Sequence, residues 1–231
     1  MTIGKRLLTG FFIYLITNLS SINARQADPV TDLPLQISLS KGYREELIIY
    51  ITGDGGWNSF NQQLVSAFGK QGYGVVALNS RKYFWSEKTP QDFACDFQQF
   101  SDYYLKQWGK TSFIIVGYSF GADVVCFLPH LISDDMNHKI KKIALISPSA
   151  STDFTIRLGD LISENENVNR KYKVRPQIEQ IALPVVCTFG KEEVKLLKRT
   201  LVQSRSLSIN ELPGDHRYNN DFALLLQTIC R

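Results

Sequence analysis

Phe113-Ile114-Ile115-Val116-Gly117-Tyr118-Ser119-Phe120-Gly121-Ala122-Asp123 is the stretch on which the reading of the chain turns. Four apolar residues in a row, Phe113 to Val116, read as a strand buried on both faces. Gly117-x-Ser119-x-Gly121 follows without a spacer. Ala122, Val124, Val125, Phe127, Leu128 and Leu131 then continue at helical spacing. Strand, Gly-x-Ser-x-Gly, helix is the context of a nucleophile elbow. The turn forces the serine into a strained backbone conformation, and a side chain at either glycine would strike the strand or the helix. The expected product is a serine hydroxyl held above the sheet edge, at the positive end of a helix. The plainer alternative is a glycine-rich strand-to-helix turn with an idle serine.

The 231 residues are 44% hydrophobic and 21% charged, enough for one globular domain with a core of its own. Net charge is +4, with Lys and Arg scattered among acids. That is a solvated surface rather than a nucleic-acid footprint, so no nucleic-acid partner is expected. Lys5 and Arg6 precede an apolar run, Leu7 to Leu19, that ends in Ser20, Ser21, Asn23 and Ala24. Residues 1–24 therefore read as a secretory signal peptide, residues 25–34 as a linker with Pro29 and Pro34, and residues 35–231 as one domain. Thr9, Gly10, Thr17 and Asn18 interrupt the run, which falls short of the ~20 residues of a comfortable membrane span. An uncleaved anchor is the alternative. Export puts Cys95, Cys126, Cys187 and Cys230 in an oxidising compartment. Their spacings match no zinc pattern. Cys126 reads as a small buried apolar residue. Cys230 is placed to staple the last helix to Cys187 or Cys95.

Leu35, Ile37 and Leu39 alternate with polar residues and suit an edge strand that pairs antiparallel. Leu47 to Thr52 is a buried strand, ending in Gly53-Asp54-Gly55-Gly56-Trp57. Glycines at a strand end let the backbone approach a ligand closely. Phe60, Leu64, Ala67 and Phe68 mark a helix, and Val75 to Leu78 the next strand. The loop from Asn79 to Pro90 carries Tyr83, Phe84 and Trp85, which either wall a substrate pocket or pack under the neighbouring helix. Trp57, Tyr83, Phe84, Trp85 and Tyr118 are the candidates for substrate contact. Residues 91–108 read as a helix whose stripe of Phe93, Phe97, Phe100, Tyr104 and Trp108 belongs to the core. Ile143 to Ile146 is a strand. Residues 150–180 fit no strand and read as a lid-like excursion. A strand from Val185 to Phe189, a helix over 193–203, a strand through Leu207, Ile209 and Leu212 and a final helix complete the chain. Alternating strands and helices imply a mostly parallel sheet covered on both faces.

A serine hydroxyl needs a base beside it. His130 lies too far along the elbow helix, and His138 sits in a charged, solvated turn. His216 follows the last strand. In a parallel sheet the strand C-terminal ends share one rim, which brings His216 to Ser119. An acid must orient the imidazole, and it should follow the strand before the histidine strand. Glu193 is the first choice there and Glu192 the reserve; both also suit a helix N-terminus. The order Ser119, Glu193, His216 is the one expected of an α/β-hydrolase. Phe120 N–H is expected as one oxyanion donor and an N–H near Asp54 or Gly55 as the other. The Asp54 side chain reads as structural. Such a site needs neither metal nor cofactor.

Gly53-Asp54-Gly55-Gly56-Trp57, Tyr83-Phe84-Trp85 with Thr89-Pro90, and Gly117-Tyr118-Ser119-Phe120-Gly121-Ala122-Asp123 together resemble the VirJ/AcvB family of bacterial virulence proteins, over about residues 45 to 225. The resemblance implies an α/β-hydrolase fold, a periplasmic location and a link to type IV secretion and virulence. AcvB-like members are implicated in hydrolysing aminoacyl-phosphatidylglycerol, such as the lysyl form. The resemblance therefore implies an ester substrate, with a membrane phospholipid headgroup or secretion-system components as partners. It also implies that Ser119, Glu193 and His216 fall on the family's triad positions. One VirJ-like domain is present here, where AcvB-like members carry an additional N-terminal region. The family's cysteine shortly after the acid has no counterpart between Lys195 and Lys198, so the resemblance offers Cys187 no disulfide across that loop.

Overall fold

The computed structural model describes residues 30–39, 42, 44–157 and 168–230. The signal-peptide reading of residues 1–24 lies outside them. Strands β1 (Leu35–Ser38), β2 (Glu46–Ile51), β3 (Gly74–Leu78), β4 (Ser112–Tyr118), β5 (Ile140–Ile146), β8 (Val185–Gly190) and β9 (Leu207–Leu212) form one sheet in the order β1-β3-β2-β4-β5-β8-β9. β1 pairs antiparallel to β3 at the edge, and every other pairing is parallel. Two short strands, β6 (Ser151–Thr152) and β7 (Tyr172–Lys173), pair antiparallel beside it.

The helices are α1 (Ser59–Lys70), α2 (Ser80–Tyr83), α3 (Pro90–Gln107), α4 (Phe120–Val125), α5 (Asp134–Lys139), α6 (Val174–Glu179), α7 (Leu196–Thr200) and α8 (Phe222–Cys230). Local chemistry fixes their starts. Asn58 caps α1 by accepting from Asn61 N–H. Thr89 and Asp92 form a reciprocal capping box at α3, with Pro90 at its first turn.

Alternation along the central strands divides the core into two layers. Leu47, Ile49, Ile51, Phe113 and Ile115 face a cluster that includes the α3 aromatics. Ile48, Tyr50, Ile114, Val116 and Tyr118 face a second cluster built with α1 and α8. All seven residues of β4 are buried, as a strand covered on both faces requires. Burying each large apolar side chain contributes roughly 1.5–3 kcal/mol. Val30, in the segment read as a linker, is buried in the first cluster.

Several boundaries differ from expectation. The elbow helix α4 ends at Val125, and a separate 3-10 turn spans Leu128–His130, with Pro129 interrupting the helical pattern. The charged segment around His138 is the helix α5 rather than a turn. The helix expected over 193–203 shrinks to Leu196–Thr200. The excursion contains the β6–β7 pair and α6, where no strand was expected; two-residue strands leave no periodicity to read. The four cysteines are free thiols. Cys126 and Cys187 are buried in the first core cluster, and Cys95 is exposed on α3. Cys230 lies against Tyr73, where burial and the neighbouring thiol push the phenol up to about 12. The staple from Cys230 to Cys187 or Cys95 is therefore not formed.

Candidate active site

The parallel pairing sends the C-terminal ends of β2, β4, β5, β8 and β9 to one rim, and the loops leaving them line a cavity of about 690 Å³. Ser119, at the end of β4, has φ 54 and ψ −123, outside the ordinary regions for a residue with a side chain. The flanking glycines make this turn possible. A Cβ on Gly121 would lie 2.2 Å from the Ile51 carbonyl oxygen, and one on Gly117 2.6 Å from the α4 backbone. Ser119 N–H donates to the Ile146 carbonyl at 2.8 Å, and the Ser119 carbonyl accepts from Ala122 and Asp123 N–H. The elbow is thus pinned to β5 on one side and to α4 on the other.

Glu193 and His216 stand on the next two loops. Glu193 Oε1 is 2.6 Å from His216 Nδ1. Its Oε2 accepts from Gly190 N–H at 2.6 Å and from Ser147 Oγ at 2.7 Å. The Glu193 side chain is only 4% exposed. Burial works to raise its pKa, but the His216 hydrogen bond and charge, Gly190 N–H and the Ser147 hydroxyl outweigh it and hold the carboxyl below its ordinary value. An ionised acceptor on Nδ1 places the imidazole proton there and leaves Nε2 bare, the tautomer a general base needs. His216 also packs on Tyr118, with ring centroids 5.1 Å apart, and Tyr118 OH donates to the His216 carbonyl at 3.0 Å.

Asp54 N–H and Phe120 N–H have no acceptor among the described residues, and both residues line the cavity beside Ser119. Gly55 N–H is taken by the Asp54 carboxylate at 2.8 Å. Of the two amides expected from the glycine loop, Asp54 N–H is therefore the open one. The Asp54 carboxylate thus bonds an amide of its own loop. Ser119 Oγ and His216 share the cavity but are not hydrogen-bonded to each other among the described residues.

The family model for the bacterial virulence protein VirJ matches residues 45–231. The chain belongs to the VirJ family. No curated protein matches it. Among solved structures, this VirJ-family chain is similar to Est1E from Butyrivibrio proteoclasticus, with 17% identity, a TM-score of 0.58, and 84% of this chain and 89% of that chain covered. It is similar to olei00960, a hydrolase from Oleispira antarctica, at 14% identity and TM-score 0.58, covering 88% and 97%. MenH from S. aureus aligns at 11% identity and TM-score 0.59, covering 85% and 97%. At these identities the likeness concerns the fold, which is the α/β-hydrolase fold.

The VirJ-family cavity brings together Ser119, Glu193, His216, Phe120, Asp54, Gly55, Tyr118, Glu192 and Asp215. It does not bring in four of the five aromatics proposed for substrate contact. Tyr83 and Phe84 are buried in the core, Phe84 against Phe93, Phe120 and Phe154. Tyr83 OH bonds Asp96 at 2.5 Å, and burial raises its phenol pKa. Trp85 is 59% exposed and is not among the residues that line this cavity. Trp57 packs against the α1 side of the core. The short helix α2 turns Tyr83 and Phe84 inward, and sequence alone gave no period by which to see that. His130 and His138 bond the backbone carbonyls of Gln177 and Asp134, outside the cavity.

Residues that sequence reasoning missed are Ser147, whose hydroxyl bonds Glu193, Tyr218, whose hydroxyl bonds Ser147, and Lys195 and Arg170 in the cavity wall. Lys195 Nζ donates to Ser149 Oγ at 2.9 Å, and Arg170 pairs with Asp153 at 3.1 Å. Ser147 was within reach of the rim argument, since it ends a strand of the parallel sheet. The others needed the fold.

Proposed function

We propose that this chain is an exported serine hydrolase that cleaves an ester through Ser119, His216 and Glu193. The observation that carries the reading is the Glu193–His216 hydrogen bond, 2.6 Å long, opening on the cavity that Ser119 shares. Ser119 Oγ attacks the ester carbonyl while His216 Nε2 takes its proton. Asp54 N–H and Phe120 N–H donate to the oxyanion. His216 then protonates the departing alcohol, and water, activated by the same imidazole, releases the acid from Ser119. The step needs the His216 ring to close on Ser119 in the substrate complex, a contact that tightens when substrate is bound.

The substrate is an aminoacyl ester of phosphatidylglycerol, which the family resemblance suggests. Asp54, Glu192 and Asp215 in the cavity wall suit a cationic aminoacyl group. The site of action is the periplasm, in a process tied to virulence or type IV secretion. Among the described residues no helix is long and apolar enough to cross a membrane.

Fluorophosphonate labelling of the purified protein tests the catalytic core of this reading, and lysyl- and alanyl-phosphatidylglycerol test the substrate. Ser119→Ala should abolish labelling and ester cleavage; undiminished labelling of that variant sinks the assignment. A second reading, a non-catalytic binding or assembly factor of a secretion system, draws on the missing Ser119–His216 hydrogen bond. Complementation separates the two, because full rescue of secretion by Ser119→Ala favours the second.

A further inference from the structure

We infer that Ser147 and Tyr218 are positioning residues that lock the acid and base loops to one point of the sheet, an inference that rests on the hydrolase reading. Glu193 follows β8 and His216 follows β9, and loops hold a geometry only where something ties them down. Among the described residues Glu193 Oε1 has one hydrogen-bond partner, His216 Nδ1. Its Oε2 has two, Gly190 N–H and Ser147 Oγ, and together these fix the plane of the carboxylate. Gly190 closes β8, the strand that Glu193 itself follows. Ser147 stands at the end of β5, a different strand, and is fully buried. Its hydroxyl is therefore the contact that ties Glu193 to a second strand, beyond the one the acid follows.

Tyr218 does the same for the base. It lies two residues after His216, is 1% exposed, and brings its hydroxyl to 2.5 Å from Ser147 Oγ and 2.9 Å from the Thr188 carbonyl. Ser147 N–H donates to that same carbonyl at 2.8 Å. The hydroxyl protons can be followed. Ionised Glu193 only accepts, so Ser147 gives it its one proton. The Ser147–Tyr218 contact must then use the tyrosine proton, which is shared between Ser147 Oγ and the Thr188 carbonyl. Ser147 and Tyr218 both hold positive φ, 53° and 54°. Side-chain-bearing residues keep that conformation only where their surroundings impose it. The two hydroxyls thus form one device in which Tyr218 aims Ser147 and Ser147 aims Glu193.

The test is a double-mutant cycle on the purified protein with Ser147→Ala and Tyr218→Phe. It reads the fluorophosphonate labelling rate, kcat and KM on p-nitrophenyl acetate, and the far-downfield proton resonance of His216 Nδ1–H. Ser147→Ala should lower the labelling rate and kcat about tenfold, the scale of one lost hydrogen bond to a charged group. KM should hold, and the Nδ1–H resonance should move upfield. Tyr218→Phe should shift the same readouts in the same direction. The double variant should be no worse than Ser147→Ala alone, because Tyr218 acts through Ser147. Fully additive losses, or unchanged rates and resonance in Ser147→Ala, overturn the inference. If the wild-type protein is not labelled at all, the hydrolase reading fails, and the resonance still decides whether the two hydroxyls position the pair. If Ser147→Ala does not fold, Tyr218→Phe must by itself weaken the resonance, and a wild-type signal there refutes the device.

Discussion

Glu193→Gln is the change that probes the site most sharply, because it replaces one carboxylate oxygen by an NH2 group and alters almost no volume. The glutamate accepts three hydrogen bonds, from His216 Nδ1 on one oxygen and from Gly190 N–H and Ser147 Oγ on the other. An amide cannot accept on both ends. If its oxygen faces His216, its NH2 group meets Gly190 N–H at a 2.6 Å separation, donor against donor in a buried place. Leaving that amide unpaired costs about 1–3 kcal/mol. If its oxygen faces Gly190 and Ser147, both of those bonds survive and the NH2 group faces His216. The second arrangement keeps more bonds, so it prevails. It also forces Nδ1 to accept, which moves the imidazole proton to Nε2 and removes the base from Ser119. Loss of the negative charge beside the imidazolium adds to the effect. The expected fall in kcat is roughly 10⁴-fold, the scale seen when the orienting acid of a triad is made an amide. The Gln variant should retain its fold by circular dichroism. Hydrolysis of p-nitrophenyl acetate and the fluorophosphonate labelling rate are the assays. A variant within tenfold of wild type would refute the assignment of Glu193 as the acid, and a large loss in Glu192→Gln instead would move the role to its neighbour.

Two further outcomes follow from the geometry. Phe84 is fully buried and braces Phe120, so Phe84→Ala should cost about 3–5 kcal/mol in urea unfolding, whereas Trp85→Ala, at a 59% exposed position, should change stability by less than about 0.5 kcal/mol and leave KM unaltered. A raised KM in Trp85→Ala would return that residue to the substrate wall. The Glu193 carboxyl titrates below its ordinary value in the folded chain, so its stabilising share is complete above the usual carboxylate pKa of about 4.3 and is lost as pH falls through the lower folded value. The stability gap between wild type and Glu193→Gln should accordingly narrow as the pH drops below about 4; a gap that stays constant with pH argues against an ionised, hydrogen-bonded Glu193.

Much of this fold is written locally. Phe113 to Val116 carries enough apolar side chains to be buried on both faces, and the two glycines around Ser119 leave the chain one way to turn. The rim rule for parallel strands then collects Ser119, Glu193 and His216 from positions far apart in sequence, because each follows its own strand. Those features depend on a residue and its near neighbours, so the sequence by itself determined the sheet, the elbow and the order of the three polar residues. Other features depend on partners that no spacing announces. Tyr83 and Phe84 face inward because α2 turns them toward α3, while Trp85, next in the chain, faces water. Gly55 N–H is occupied because the Asp54 carboxylate folds back on it, which leaves Asp54 N–H as the open donor. Ser147 and Tyr218, 71 residues apart, meet through hydroxyls whose path to Glu193 exists only once β5, β8 and β9 lie side by side. The tertiary structure alone decided these points, since a hydrogen bond requires atoms within about 3 Å and the right direction, and sequence separation fixes neither.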